Sequence, residues 1–333
     1  MKRIRGIWII FIFGVFFWLL PLTGEAASTW GCDCSGSTIQ SFINNPSVVS
    51  GDTILVSGTC NENIDITKSG IIIDGNGAIH AEIHAPDAAK PAVMMRAHQA
   101  VIRNFNSIQG GQDGVYVTNS VGSIISNNTI RSNGRAGVYV FLGGAPTING
   151  NIITNNPSYG ILLLANAYAF IMNNTITSNL GDGIYVTESS AARIGFASST
   201  QTTASPNTVT SNGRHGIVVF GSSNALIVGN TISNNTGNGL TVALGSHVGA
   251  SANTIDNNGG DGIEVVAGSG ISLGSDTGTG IFESPNITNI NNGNRGLECS
   301  VGGYVDGRLG TLNGINGKKS ITRGCVNSLI PPY

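Results

Sequence analysis

Eight glycines recur at a nearly fixed interval, and this repeat constrains the fold more than any other feature of the chain. Their separations are 23, 23, 23, 33, 23, 23 and 34 residues. Such a period is typical of a solenoid in which each repeat forms one coil, here with insertions in two coils. The positions are Gly114, Gly137, Gly160, Gly183, Gly216, Gly239, Gly262 and Gly296.

Short apolar stretches alternate within each repeat with Ser, Asn and Gly, which predicts three short strands and three turns per coil. In one repeat the apolar residues are Val115 and Val117, then Ile124 and Ile125, then Ile130. Coils stacked at the strand spacing of about 4.8 Å would form three parallel sheets. The sequence therefore predicts an all-β, three-sheet parallel β-helix of about ten coils.

Two columns of asparagine follow from the stacking, and both indicate a structural role because every coil repeats them. In the first column, side-chain amides are expected to bond to the coils above and below. Its members are Asn128, Asn151, Asn174, Asn207, Asn230 and Asn253. The second column is expected at a turn with left-handed backbone. Its members are Asn133, Asn156, Asn179, Asn212, Asn235 and Asn258.

Residues 1–26 resemble a secretory signal, with a basic start, an apolar run of 14 residues from Ile7 to Leu20, and small residues before a cleavage site at Ala26. The alternative is an uncleaved anchor. Residues 27–325 would then form one β-helix domain with a short capping helix at its start, and residues 326–333 a tail. We expect a secreted monomer, periplasmic or extracellular, with no membrane contact after cleavage.

Charge and cysteine content narrow the function classes further. Only 10% of residues are charged and the net charge is −2, so nucleic acid is not an expected partner. The five cysteines lie near the two ends of the chain, as disulfides of an exported protein would. Cys299 occupies an inward position that is valine in most coils, which predicts a bond to Cys325. Cys60 is expected to pair with Cys32 or Cys34.

The order of motifs near the N-terminus resembles the opening of the right-handed parallel β-helix proteins. Gly51–Val56 is followed by Gly-Thr-Cys60 and then by Ile71–Gly77, and the Asn-Thr-Ile repeats are similar to those of the carbohydrate-binding and sugar-hydrolase subgroup. That subgroup includes periplasmic copper-maturation proteins, pectate-lyase-like proteins and polysaccharide epimerases. The chain lacks the Asp-Pro-His-Asp signature of mannuronan epimerases.

An aromatic face is the candidate substrate-binding site. Tyr116, Tyr139 and Tyr185 share one outward column, with Phe141 and Phe220 beside it. In the resembled family this sheet carries the polysaccharide groove, and rings could stack on sugar faces. The alternative is that these rings only decorate a solvent-facing sheet.

Candidate acid and base residues lie near this face. Asp182 and His215 fall in adjacent coils with Arg214, and together could move a proton on a sugar. Glu264 is a further catalytic candidate. The alternative interpretation is that the aspartates precede glycine in ordinary turns.

Two groups could hold a metal ion, with calcium and copper as the candidates. Asp261 and Glu298 lie beside Glu264 in an arrangement that calcium could use. His80 and Glu82 belong to a strand with alternating polar residues, where the resemblance to copper-maturation proteins suggests a ligand pair. The alternative there is an ordinary polar strand face.

The sequence thus predicts a secreted β-helix that binds an extended polysaccharide, and leaves open whether it also processes it as a lyase, hydrolase or epimerase. The competing hypothesis is a non-enzymatic periplasmic or surface β-helix that acts in metal handling, adhesion or assembly.

Overall fold

A computed structural model describes residues 26–77, 81–198, 200–274, 284–322 and 324–331. The predicted fold is confirmed: three parallel sheets wind around one hydrophobic core, and the described residues contain a single helix, Ile39–Asn44. The stack has about 12 turns rather than about ten. Coils outside the eight glycine repeats lie both before Gly114 and after Gly296, where Lys319–Ile321 and Val326–Leu329 add further strands.

The strands of each sheet stack in chain order. Sheet 1 contains Thr29–Asp33, Thr53–Ser57, Ile72–Asp74, Val101–Arg103, Val121–Ser126, Ala145–Asn149, Tyr168–Met172, Ala191–Ile194, Asn224–Val228, His247–Ser251, Gly270–Leu273, Tyr304–Gly307 and Val326–Leu329. Sheet 2 contains Ile64–Ile66, Val93–Met95, Val115–Thr118, Ala136–Phe141, Tyr159–Leu164, Asp182–Val186, Ile217–Phe220, Leu240–Ala243, Ile263–Val265, Leu297–Cys299 and Lys319–Ile321. Sheet 3 contains Thr59–Cys60, Glu82–His84, Ser107–Gln109, Thr129–Arg131, Ile152–Thr154, Thr175–Thr177, Thr208–Thr210, Thr231–Ser233 and Thr254–Asp256.

The repeat glycines are required by a close approach at the corner where the chain enters sheet 2. A Cβ atom at Gly183 would lie 2.5 Å from Cγ1 of Val209, 2.6 Å from the carbonyl oxygen of Gly216 and 2.9 Å from Nδ2 of Asn212. All three are atoms of the next coil or its core. A side chain of any size would force adjacent coils apart, which explains the period from which the fold was predicted.

Both asparagine columns form buried hydrogen-bonded ladders, which confirms their structural role, but the left-handed backbone expected for the second column was wrong. Nδ2 of Asn174 donates to Oδ1 of Asn207 at 2.9 Å, and Nδ2 of Asn179 donates to Oδ1 of Asn212 at 3.0 Å. The left-handed backbone belongs instead to the residue before each asparagine of the second column, such as Ser178 with φ 56°. The exposed turn residue takes the strained conformation, and the buried asparagine bonds along the stack.

The two ends of the stack are covered as predicted. Thr38 caps the helix Ile39–Asn44, whose buried isoleucines close the first coil. The disulfide Cys299–Cys325 is present, and Cys60 is bonded to Cys34, which leaves Cys32 as a buried free thiol. Across the described ranges, no helix is long and apolar enough to cross a membrane.

Candidate functional site

The outer face of sheet 2 carries a continuous group of aromatic side chains, which we call the aromatic strip. The strand register confirms the predicted outward column, since Tyr116 pairs with Tyr139, and Leu162 pairs with Tyr185. Together with their neighbours these residues form an apolar cluster outside the main core. The strip consists of Tyr116, Tyr139, Phe141, Tyr159, Tyr185 and Phe220.

The rings of the strip contact one another in two groups. The centroid of Tyr116 lies 5.0 Å from that of Tyr139 and 6.2 Å from that of Phe141. Further along the stack, Tyr185 lies 5.2 Å from Tyr159 and 6.1 Å from Phe220. Edge-on and tilted contacts at these distances fix the ring orientations, so the strip is a preformed surface.

Tyr139 differs from the other rings because it is only 7% exposed. The guanidinium of Arg135 lies 4.2 Å above its ring centroid and is held by an ion pair of 2.6 Å with the buried Asp113. Tyr139 therefore has little surface left for a ligand, whereas Tyr116, Phe141, Tyr185 and Phe220 keep partly exposed faces.

The residues that precede the repeat glycines form an acceptor ladder that sequence reasoning missed. Oδ1 of Asp182 accepts the backbone N–H of His215 at 3.0 Å, and Nδ1 of His215 accepts that of Asn238 at 2.9 Å. Oδ1 of Asn238 then accepts the N–H of Asp261 at 2.7 Å, and Oδ1 of Asp261 that of Arg295 at 2.9 Å. The residue types differ, but each offers an acceptor at the same place.

This ladder engages two predicted catalytic residues, Asp182 and His215. Asp182 has no exposed surface, and its second oxygen lies 3.4 Å from Nη1 of Arg214. His215 must be unprotonated at Nδ1 to accept its bond, so the neutral ring carries its proton on Nε2. Burial lowers the pKa of His215, the charge of Arg214 lowers it further, and the charge of Asp182 opposes both.

Beyond the aromatic strip, the later coils of sheet 2 carry a polar group that we call the acidic end, made of Asn238, Thr241, Asp261, Glu264 and Glu298. Glu264 pairs in register with Glu298 and lies in the same outward column as the tyrosines. Its Oε2 accepts from Nδ2 of Asn238 at 2.8 Å. Burial, and then the charge of Asp261, raise the pKa of Glu264, while bonds from Thr241 and Asn238 oppose the rise.

Burial also raises the pKa of Asp261, which is 6% exposed. A carboxyl with a raised pKa keeps its proton to a higher pH than an exposed carboxyl does, which is the property that a proton donor requires. Glu264 is more exposed than Asp261. In addition, one carboxylate oxygen of Asp261 is occupied by its hydrogen bond in the acceptor ladder.

The two candidate metal groups lie in different parts of the stack. Glu82 lies on sheet 3 near the start of the stack, where its Oε2 is 2.8 Å from Nε2 of His84, whereas Asp261 and Glu298 belong to the far end of sheet 2. His80 lies outside the described residues. Within the part of the chain that the structure describes, no group of three or more His, Cys, Asp and Glu side chains is arranged to hold a metal ion.

Comparisons with known proteins agree with this architecture. The sequence profile of the right-handed β-helix region matches residues 91–195 and 190–277, more than half of the chain. A cell surface glycoprotein of Methanothermus fervidus is 37% identical over 95 residues, which are 28% of this chain and 15% of that protein. The chain thus spans a small part of that relative.

Two solved structures share the fold at low sequence identity. The A-module of a mannuronan C-5 epimerase from Azotobacter vinelandii is 15% identical with a TM-score of 0.52, over 84% of this chain and 91% of that module. The enzymatically active domain of tailspike protein 2 of bacteriophage CBA120 is 13% identical with a TM-score of 0.53. That match covers 90% of this chain and 47% of the tailspike chain.

Proposed function

The chain belongs to the right-handed β-helix family, and on that basis we propose that it binds an extended polysaccharide along the aromatic strip of sheet 2. The observation that carries this proposal is the row of partly exposed rings on successive coils. A polymer laid along the stack would meet one ring group after another, spaced by multiples of about 4.8 Å. A localised pocket would suit a small ligand, whereas a row of this kind suits a chain.

The rings suit sugars for an electrostatic reason. The faces of Tyr and Phe rings carry partial negative charge, and the C–H groups on a sugar face carry partial positive charge. Because ring contacts hold Tyr185 against Tyr159 and Phe220, little side-chain entropy is lost when a sugar stacks on it. The strip is therefore preorganised for carbohydrate.

We further propose that the acidic end processes the polymer, with Glu264 as the proton donor. Its raised pKa and its position in the column of the tyrosines support this role. Arg214 is the candidate charge-stabilising residue nearby. His215, whose Nδ1 accepts the N–H of Asn238 and whose Nε2 carries the proton, would donate a hydrogen bond to a substrate oxygen. Asp182, with both oxygens engaged, would orient these two residues and would not itself transfer a proton.

The similar proteins support a polysaccharide as the ligand class. One of them is a mannuronan epimerase module and another an enzymatically active tailspike domain. The similarity to a cell surface glycoprotein supports an extracellular or surface location, and with it secretion through the N-terminal segment.

Affinity electrophoresis against acidic and neutral polysaccharides tests binding. We expect at least one polymer to retard the protein, and the Tyr116→Ala/Tyr185→Ala double variant to lose that retardation without a change in melting temperature. Tyr185→Phe, which keeps the ring, and Ile152→Ala, which removes an exposed apolar group from sheet 3, serve as matched controls. No retardation by any polymer, or undiminished retardation of the double variant, would refute the proposal.

Catalysis is tested on the polymer that binds, by assays for unsaturated ends, reducing ends and epimerised units. Glu264→Gln should abolish the product while leaving retardation intact, because a proton donor acts in the transition state. Binding without any product would remove the catalytic part of the proposal.

A second candidate function is non-enzymatic assembly at the cell surface. The 37% identity to part of a cell surface glycoprotein favours it, since a rigid stack of coils can serve as a structural module. Binding without turnover, together with self-association in solution, would be the result that distinguishes it.

A further inference from the structure

The outer face of sheet 1 carries a groove of about 420 Å³ that takes no part in the site on sheet 2. It crosses the strands from Tyr168 to Tyr304, which stand five strands apart, or roughly 24 Å. A volume of this size is typical of ligand pockets. We propose that this groove is a second carbohydrate site, and that it binds a neutral oligosaccharide.

The groove exists because small residues interrupt two outward columns of sheet 1. Gly249 pairs in register with Leu226 on one side and Ser272 on the other, so the column drops from leucine to glycine and serine. In the neighbouring column Gly270 lies between His247 and Tyr304. These glycines lie within strands, where they are costly unless something must approach the backbone.

Two rings border the bare backbone at Gly270. A Cβ atom there would lie 3.0 Å from Cδ2 of His247 and 3.6 Å from Cδ1 of Tyr304, so the two rings flank the glycine from adjacent coils. Tyr304 is 39% exposed, and its hydroxyl donates to Oδ2 of Asp306 at 2.8 Å. This bond fixes the Tyr304 ring at the mouth of the groove while leaving its face open.

The opposite end is equally well defined. The Tyr168 ring packs edge-on against Phe170 at 5.0 Å. The guanidinium of Arg193 lies 5.8 Å from the Phe170 ring centroid and 5.6 Å from that of Phe196, and its Nη1 donates to the carbonyl of Ala197 at 2.6 Å. The groove is therefore held open by contacts that do not depend on a ligand.

The chemistry of the lining selects the ligand class. Aromatic faces at the ends suit the C–H faces of sugars, and Asn224, His247 and Ser272 offer donors and acceptors for hydroxyls. Among the described lining residues Arg193 is the one permanently charged side chain, and the backbone carbonyl of Ala197 already takes part of its donor capacity. A polyanion would thus have a single cation to pair with, and that cation is already partly hydrogen-bonded. A neutral sugar would have both aromatic faces for stacking and polar side chains for its hydroxyls.

A peptide is a poorer fit than a sugar. Each strand beneath the groove, from Ala191–Ile194 to Tyr304–Gly307, is paired on both sides, so no strand edge is open for a peptide to extend the sheet.

The test uses the Tyr116→Ala/Tyr185→Ala background, in which the strip has lost two of its exposed rings and is expected to have lost its binding. The probes are cello-, manno- and galacto-hexaoses and a galacturonate hexamer. Their binding is detected by saturation-transfer NMR and quantified by titration. We expect at least one neutral hexaose to bind, and Gly249→Leu or Tyr304→Ala to weaken it about tenfold or more. Leucine is tolerated in this column one coil earlier, at Leu226, so Gly249→Leu fills the groove with little strain on the fold.

Thr147→Leu is the matched control, because Thr147 lies in the same column as Gly249 but outside the groove. The affinity of this variant for the hexaose should stay within about twofold of that of the background protein. Binding of no neutral hexaose, binding of the galacturonate hexamer alone, or undiminished binding by Gly249→Leu would each overturn the proposal. Since Tyr116 and Tyr185 of the strip are replaced in every sample, failure here leaves the proposed function of sheet 2 untouched.

Discussion

At the scale of single residues, the asparagine ladders show how one side chain can tie three coils together. Nδ2 of Asn174 donates both to Oδ1 of Asn207 above and to the carbonyl of Ile148 below, at 2.9 Å each. Asn179 makes the same pair of bonds with Asn212 and Ile153. The two positions thus share these bonds between coils and are equally buried.

We therefore expect Asn174→Leu and Asn179→Leu to destabilise the protein by similar amounts. Each substitution leaves buried polar groups of two neighbouring coils without a hydrogen-bond partner, and an unsatisfied buried polar group costs about 1–3 kcal/mol. Urea unfolding of both variants measures this. Asn173→Gly is the control, because Asn173 has φ 54° and is exposed, so glycine should cost little there. A much smaller loss for Asn179→Leu would contradict the second ladder.

His215 gives the fold a pH dependence whose sign can be worked out. Its pKa in the folded protein lies below the ordinary value of 6.5, so the unfolded chain binds the proton more readily. Stability should therefore be fully present above that value and decrease as the pH falls below it. His215→Asn should flatten this decrease, since an amide oxygen can accept the same N–H, as Asn238 does one coil further on. Chemical denaturation at pH 7 and pH 5 provides the comparison, and equal slopes in both proteins would refute the assignment.

At the scale of elements, regular columns could be predicted from the sequence and mixed ones could not. Asn174 and its equivalents repeat one residue type at one interval, which makes their stacking visible. The acceptor ladder uses Asp182, His215 and Asn238, which share only an acceptor atom and its place in space. The groove on sheet 1 was hidden for a related reason, because Gly249 and Gly270 resemble the many turn glycines until strand register is known.

The C-terminal disulfide should hold the last coil in place. Cys299 lies in the buried valine column, and the bond to Cys325 closes 26 residues of chain. A Cys299→Val/Cys325→Ser variant keeps the core volume, so any decrease in its free energy of unfolding should reflect the missing cross-link alone. Loop entropy predicts a decrease of about 3 kcal/mol.

Hydrogen exchange should locate that loss in Val326–Leu329, the strand next to the disulfide, and leave the first coils unchanged. The Cys34–Cys60 bond, with the same separation of 26 residues, is the matched control at the other end. Uniform acceleration throughout the stack would contradict a local role.

At the scale of the whole molecule, the coil is the unit that can be removed. Deletion of residues 154–176 takes out one complete repeat of 23 residues and joins Ile153 to Thr177, so each column continues in register. In a solenoid, stability is the sum of the coils and their interfaces. We expect a folded protein with unchanged circular dichroism per residue and a slightly lower melting temperature.

Deletion of residues 154–175 removes one residue fewer and joins Ile153 to Ile176. From that junction onward the strand is shifted by one residue, so inward and outward side chains exchange places. Apolar side chains would then face solvent and polar ones the core. This variant should melt far lower or fail to fold. Equal stability of the two deletions would show that the columns do not hold the stack together.

The direction of the ladders has a mechanical consequence. Strand pairing and both asparagine ladders run along the solenoid axis, from one coil to the next. Tension along that axis would load the interfaces in series, so coils would peel away singly at modest force. Tension across the axis would share the load among many parallel bonds in neighbouring coils. The molecule is therefore a strongly anisotropic material, stiff when pulled sideways and extensible when pulled end to end.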